Sequence, residues 1–167
     1  MSNRNTRQPI PRPISTRRLD ITSLICEVSS TYSDTFDERD IDVDLDIPQS
    51  LWVDLDPVLM RDVFRKLIDN AVEAMPNGGS LVVTSLIGRN GLEIEFADSG
   101  RTISEELKDR LFEPFSTTKH GHAGLGLSMV RDIIESHNGK ISVDDCPEGG
   151  TAFTLSFPIG GVKRQAA

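Results

Sequence analysis

Residues 56–75 read DPVLMRDVFRKLIDNAVEAM. Asp56 stands where a helix cap would, and Pro57 falls at the first helical position, where a missing N–H costs nothing. Met60, Val63, Phe64, Leu67, Ile68, Ala71, Ala74 and Met75 then recur at helical spacing and make one apolar stripe. The segment is an amphipathic helix that must bury one side against another layer, and PNGG at 76–79 ends it. Two strands follow, SLVVTSLI at 80–87 and LEIEFA at 92–97, joined around the tight-turn signal Asn90-Gly91. Upstream, IDVDLDIP at 41–48 alternates apolar and acidic residues, which predicts a strand with one buried face. LWVDL at 51–55 is expected to be its hairpin partner. Before it, Asp20 is placed to cap a helix whose apolar stripe is Ile21, Leu24, Ile25, Val28, Tyr32 and Phe36.

Downstream of DSGRT at 98–102, residues 103–112 have the character of a short helix. A glycine-rich loop leads into a helix over about 125–137, closed by Asn138-Gly139. KISVDD at 140–145 and TAFTLSFP at 151–158 are strands around the turn CPEGG. Hairpins dominate this order, so an alternating parallel βαβ fold is excluded. The expected class is α+β: a two-layer α/β sandwich whose mixed, mostly antiparallel sheet is covered on one face by three helices.

Composition narrows the function classes. The chain has 167 residues, enough for one domain with a real core. Residues 1–18 contain five arginines and no acid, leaving 13 basic and 26 acidic side chains for the rest. An acidic body repels nucleic acid, so no nucleic-acid role is expected. The proline-punctuated start reads as a disordered basic linker over 1–18, with a domain over 19–162 and a short tail at 163–167. No apolar run is long enough to cross a bilayer, and no signal-peptide core is present. The expected setting is cytoplasmic, with no membrane contact. Cys26 and Cys146 form no CxxC pair and are read as reduced thiols. His120, His122 and His137 are the only histidines, and metal ligation by them is not expected.

Four pieces have the composition of a binding site. Lys66, Asn70 and Glu73 share one helix face, which is either a solvated surface or a ligand site at the sheet's edge. A neutral oxygen ligand such as that of Asn70 suits Mg²⁺, which takes the rest of its shell from water and phosphates. Asp98, ending a strand before Ser99-Gly100, is either a turn residue or a buried acceptor for an exocyclic amine. In STTKHGHAGLGLS at 116–128, Gly124 and Gly126 stand at a helix N-terminus, where free amides favour anions. Thr117, Thr118 and Lys119 add hydroxyls and a charge. Thr151, after Gly149-Gly150, either points a hydroxyl at a ligand or supports the sheet.

In order and spacing these pieces resemble the ATP-binding catalytic domain of bacterial sensor histidine kinases, whose wider Bergerat-fold superfamily includes the DNA gyrase, Hsp90 and MutL ATPases. The motifs that carry the resemblance are RKLIDNAVEAMPNGG, DSGRTI, LFEPFSTTK, GLGLSMVRDIIESHNGKISV and GGTAFTLSFP, covering roughly residues 19–160. NAVEAMPNGG and FEPFSTTK are most similar to the nitrogen-regulation and oxygen-sensing branch. The resemblance implies that Asn70 holds Mg²⁺ against the ATP phosphates. It implies that Asp98 reads the adenine amino group, helped by Gly100 and Thr151. Gly124, Leu125 and Gly126 would line the triphosphate. Residues 113–124 would be a lid bearing Thr117, Thr118 and Lys119, with Phe112 and Phe115 packing it or gripping a partner helix, or simply packing the core.

The chain departs from the family at several positions. Lys66 stands where the gyrase-like ATPases carry a water-activating glutamate, so that hydrolysis is not expected. Its charge is expected to replace a basic residue that the kinases often carry at the position of Glu73. Thr102 replaces the second glycine of Asp-x-Gly-x-Gly; its methyl is placed to crowd the nucleotide, and it needs an ordinary backbone conformation. His122 and Ala123 replace a common Gly-Thr. No histidine precedes His120, so the phosphate-accepting histidine would lie on a separate dimerisation domain or partner chain, with a response regulator acting downstream. The chain is either cut from a longer kinase at a domain junction or a stand-alone relative, and a monomer is expected. The implied function is transfer of the ATP γ-phosphoryl to that histidine. The alternatives are a nucleotide-binding or pseudokinase regulatory module and a serine kinase of the anti-sigma-factor type.

Overall fold

The computed structural model describes residues 13–108, 110–113 and 126–158. In chain order the elements are β1 (Arg17–Asp20), α1 (Ile21–Ser30), α2 (Ser33–Glu38), β2 (Ile41–Asp46), β3 (Trp52–Leu55), α3 (Pro57–Ala74), β4 (Gly79–Gly88), β5 (Gly91–Asp98), α4 (Glu105–Lys108), α5 (Leu127–Ser136), β6 (Lys140–Asp145) and β7 (Thr151–Pro158). Five strands form the main sheet in the order β2-β4-β5-β7-β6, and β1 and β3 form a separate pair. Only β2 and β4 run parallel; the other three pairings of the main sheet are antiparallel. This is the expected α+β sandwich.

The helices bury their stripes against one face of that sheet. Ile21, Leu24, Ile25 and Val28 of α1 join Met60, Val63, Phe64, Leu67 and Ile68 of α3 and Val130, Ile133 and Ile134 of α5 in a single core. Leu81 and Val83 of β4, Leu92, Ile94 and Phe96 of β5, and Phe153, Leu155 and Phe157 of β7 meet them from the sheet. Phe64 and Phe96 stack across the layers with ring centroids 5.6 Å apart.

The expected hairpin between residues 41–48 and 51–55 does not form. β2 pairs instead with β4, across a connection containing α3, as a parallel pairing requires. The connection after β2 is drawn to the start of α1. Thr22 Oγ1 donates to the Pro48 carbonyl at 2.9 Å, Leu51 N–H to Asp20 Oδ1 at 3.0 Å, and Ile21 N–H to the Leu51 carbonyl at 2.9 Å. β3 then pairs with β1, where Arg18 faces Asp54 and its guanidinium lies 5.5 Å from the Trp52 ring. β1 thus begins at Arg17, inside the stretch read as linker.

Two smaller differences have local causes. The single helix expected over 20–37 is two, because Ser30 and Thr31 hydroxyls donate to the Glu27 and Val28 carbonyls at 2.7 Å and close the helix early. The two residues of the β4–β5 turn are Arg89 and Asn90, and Gly91 is already the first residue of β5. At the end of α5 the expected stop is present. Asn138 takes φ 59°, its N–H reaches the Glu135 carbonyl, and Gly139 N–H reaches the Ile134 carbonyl, both at 3.0 Å.

Candidate active site

Strand β5 alternates Leu92, Ile94 and Phe96 into the core, and Asp98 is the next residue in that phase. Its carboxyl therefore enters the layer between sheet and helices at the strand's end, where the residue is 5% exposed. Thr151 sits opposite Asp98 in the β5–β7 register, in phase with Phe153, Leu155 and Phe157, and is 1% exposed. Burial raises the Asp98 carboxyl above the ordinary aspartate value, and the amides of Gly100 and Thr151 pull it partly back. The Gly100 N–H donates to Oδ1 at 2.8 Å.

The loop after Asp98 is fastened to the end of α3. Arg101 N–H donates to the Ala74 carbonyl at 3.2 Å, and its guanidinium to the Glu73 carbonyl at 3.3 Å. A Cβ on Gly100 would lie 2.6 Å from the Ala74 oxygen, so only glycine permits this approach. Asn70 precedes Ala74 by four residues and shares its helix face, one turn of about 5.4 Å from the Asp98 loop. It is half-buried, and its Nδ2 is fully buried with no hydrogen-bond partner among the described residues. A buried amide nitrogen with no partner among the described residues fits a side chain that serves a ligand, and Oδ1 is the kind of hard, neutral donor that Mg²⁺ accepts. No cluster of three His, Cys, Asp or Glu suited to a metal occurs among the described residues. An ion at Asn70 would thus complete its shell from phosphates and water.

Lys66, one turn before Asn70, is half-buried, whereas Glu73 is exposed. Gly126 occupies the N-cap position of α5, and α5 packs beside α3. The structure thus brings Asn70, Asp98, Gly100 and Thr151 to one end of the sandwich. Thr117, Thr118, Lys119, His120, His122, Gly124, Leu125 and Phe115 lie outside the described residues. Phe112 is half-buried against the core. Thr102 has an ordinary backbone, as expected, and is exposed; its hydroxyl accepts from Gly150 N–H at 3.3 Å. Thr151 Oγ1 donates back to the Arg101 carbonyl at 3.4 Å, so two long hydrogen bonds join residues 101–102 to 150–151. Lys108 reaches Glu105 and Asp145 at 2.7 Å and fastens α4 to the end of β6.

At the opposite end sequence reasoning read Asp56 as a cap but missed its link to Ser15 and His137. Asp56 is fully buried and accepts from Val58 and Leu59 N–H at 3.0 and 3.2 Å, as a cap should, but also from Ser15 N–H at 2.7 Å. His137 Nε2 accepts from Asp56 N–H at 3.1 Å, which leaves the ring proton on Nδ1, 2.7 Å from the Ile133 carbonyl. His137 continues the apolar phase of Val130 and Ile133, the one local sign that it faces inward.

Comparison with known proteins agrees with this fold. Residues 55–161 match the family described as histidine kinase-, DNA gyrase B- and HSP90-like ATPase. Sporulation kinase A of Bacillus subtilis is 42% identical over 109 residues, 65% of this chain and 18% of that kinase. The adaptive-response sensory kinase SasA of Rippkaea orientalis is 34% identical over 144 residues, 81% of this chain and 37% of SasA. The chain therefore spans well under half the length of either kinase. Among solved structures, the catalytic domain of histidine kinase ThkA superposes with a TM-score of 0.79 at 31% identity, covering 86% of this chain and 97% of that one. ThkA has also been solved in complex with the response regulator TrrA. The match over residues 55–161 and the shared fold thus place the chain in the histidine kinase-, DNA gyrase B- and HSP90-like ATPase family, as an ATP-binding catalytic domain of the histidine kinase kind.

Proposed function

We propose that this chain binds Mg-ATP and transfers its γ-phosphoryl group to a histidine on a separate dimerisation domain or partner chain in the cytoplasm. The observation that carries the reading is the buried Asp98 carboxyl, held at the mouth of the sandwich with acceptor capacity beyond its Gly100 hydrogen bond. An adenine amino group donating to it would be selected over the carbonyl of guanine. Asn70 Oδ1 would hold Mg²⁺, which would supply positive charge against the phosphates. The amides near Gly126 and the lid residues Thr117, Thr118, Lys119, Gly124 and Leu125 would line the triphosphate, and Lys66 would add charge beside Asn70. The partner's imidazole nitrogen forms the new P–N bond as the bond from the γ-phosphorus to the bridging oxygen breaks, and ADP leaves. Positioning and charge suffice for such a transfer, so no base on this chain is required.

The direct test is ATP binding against GTP binding, followed by transfer to a histidine-bearing domain. ATP-selective binding with an acid-labile phosphoproduct is the expected result. Binding without transfer would favour a regulatory module, and an acid-stable product a serine kinase. Lys66→Ala is expected to slow transfer by about tenfold to a hundredfold, and normal turnover would remove Lys66 from the site.

Asp98 gives this binding a pH signature. The folded chain holds the Asp98 proton more tightly than the unfolded one, so this group favours the fold most at low pH and less as pH rises through its raised value. Nucleotide affinity runs the other way, because the adenine amine donates to the ionised carboxylate. ATP affinity, followed by calorimetry, should rise with pH through that interval. Asp98→Asn should flatten the slope and weaken binding by about tenfold.

A further inference from the structure

The two helices that bear the phosphate end of the site are joined at their other ends. α3 runs from Asp56 toward Asn70, about 21 Å along its axis, and α5 runs back from Gly126 to His137, about 16 Å. At that far end, Asp56 N–H donates to His137 Nε2, and the Asp56 carboxyl caps α3. The third group there belongs to neither helix. Ser15 N–H, from the segment that enters the domain just before β1, donates to Asp56 Oδ2 at 2.7 Å, the shortest of the hydrogen bonds described for this carboxyl. One fully buried residue therefore holds the start of α3, the end of α5 and the incoming N-terminal segment.

We infer that Asp56 is a positioning residue through which the N-terminal segment sets the placement of Asn70 and Gly126. Each helix is a stiff rod in a close-packed core, so a shift at the shared end is carried to the other end instead of being absorbed. The two Oδ atoms divide the work: Oδ1 caps α3 and Oδ2 takes Ser15. A change in the pull or direction of the N-terminal segment acts on Oδ2 and is felt by both rods at once. This inference rests on the proposed nucleotide site only for its functional meaning; the mechanical link stands apart from it. By reciprocity, nucleotide at the Asn70 end would tighten the grip on Ser15.

The test uses the whole chain and separates the backbone donor from its side chain. Ser15→Ala keeps the N–H; Ser15→Pro removes it at an exposed position outside any helix or strand. Asp56→Asn attacks the same contact from the acceptor side, since asparagine caps helices as well as aspartate does but turns an amide donor toward Ser15. In nucleotide-free protein, Ser15→Pro and Asp56→Asn should shift the NMR signals of the Asn70 side-chain amide and the Gly126 N–H, while Ser15→Ala leaves them in place. The same two variants should weaken Mg-ATP binding by about fivefold at temperatures where both remain folded, while Ser15→Ala leaves it unchanged. Signals at Asn70 and Gly126 that are identical in Ser15→Pro and Ser15→Ala would overturn the inference, whether or not the chain binds ATP. Wild-type protein that fails to bind ATP would instead overturn the proposed function, and the NMR comparison would still decide this link.

Discussion

Asn70→Ala is expected to lower phosphoryl transfer by about a hundredfold to a thousandfold while leaving the fold as stable as before. The two halves of that expectation have separate causes. The Asn70 Nδ2 is buried with no partner among the described residues, so truncation removes a group whose desolvation nothing in the described protein offsets. Loss of a few side-chain contacts and gain of helix propensity roughly balance at a half-buried helical position. Thermal unfolding should therefore move little. Binding should suffer, because Asn70 is the one side-chain amide of α3 and lies one turn before the residues that hold the Asp98 loop. Asn70→Asp is the sharper companion: it keeps an oxygen for the metal but adds a negative charge where phosphates would lie, so ATP affinity should fall even with Mg²⁺ in excess. Calorimetric titration with and without Mg²⁺ reads the first effect and a transfer assay the second. A stable Asn70→Ala protein with undiminished, Mg²⁺-dependent binding would place the ion elsewhere.

How much of this was legible in the sequence follows from the range of each interaction. α3 could be read from its Asp56 cap, its Pro57 and most of its stripe, which are local signals; buried Leu59 and Val72 fell outside the expected stripe, and Ala74, counted in it, is half-buried. The β4–β5 and β6–β7 hairpins were read for the same reason, as was the stop at Asn138-Gly139. Asp98 was left open between a turn residue and a buried acceptor; the strand's phase, in which it follows Leu92, Ile94 and Phe96, decides for burial once β5 is seen to run to Asp98. The β2–β4 pairing was not legible. A strand whose exposed positions are Asp42, Asp44 and Asp46 does not name its neighbour, and the nearest strand in sequence, β3, was claimed by Arg18 and Trp52 contacts to β1. The Ser15–Asp56–His137 node escaped for a related reason. Asp56 had a sufficient local explanation as a cap, and nothing nearby signals a histidine 81 positions further along the chain.

Gly150→Ala is expected to be the most destabilising single methyl addition at the site, at about 3–5 kcal/mol. Gly149 supplies the comparison that makes this specific. Both glycines have left-handed backbones, φ 98° at Gly149 and φ 100° at Gly150, so alanine at either meets the same conformational penalty, about 1–2 kcal/mol. They differ in what surrounds the new atom. A Cβ at Gly149 meets nothing within 4 Å, whereas one at Gly150 would lie 1.8 Å from the Asp98 carbonyl oxygen and 2.9 Å from the Ser99 Cα. Those are backbone atoms of β5 and the loop it enters, and they have no rotamer by which to yield. β7 must retreat from β5 just where Asp98 faces Thr151, which also removes the amide that Thr151 gives the Asp98 carboxyl. For a chain of this size the melting temperature should drop by about 10 °C or more in Gly150→Ala, and by only a few degrees in Gly149→Ala. ATP affinity should fall in the first variant even well below its melting temperature, since the carboxyl proposed to accept from adenine would have moved. Equal losses in the two variants would mean that β5 and β7 are held apart at this end and that Asp98 is not clamped as described.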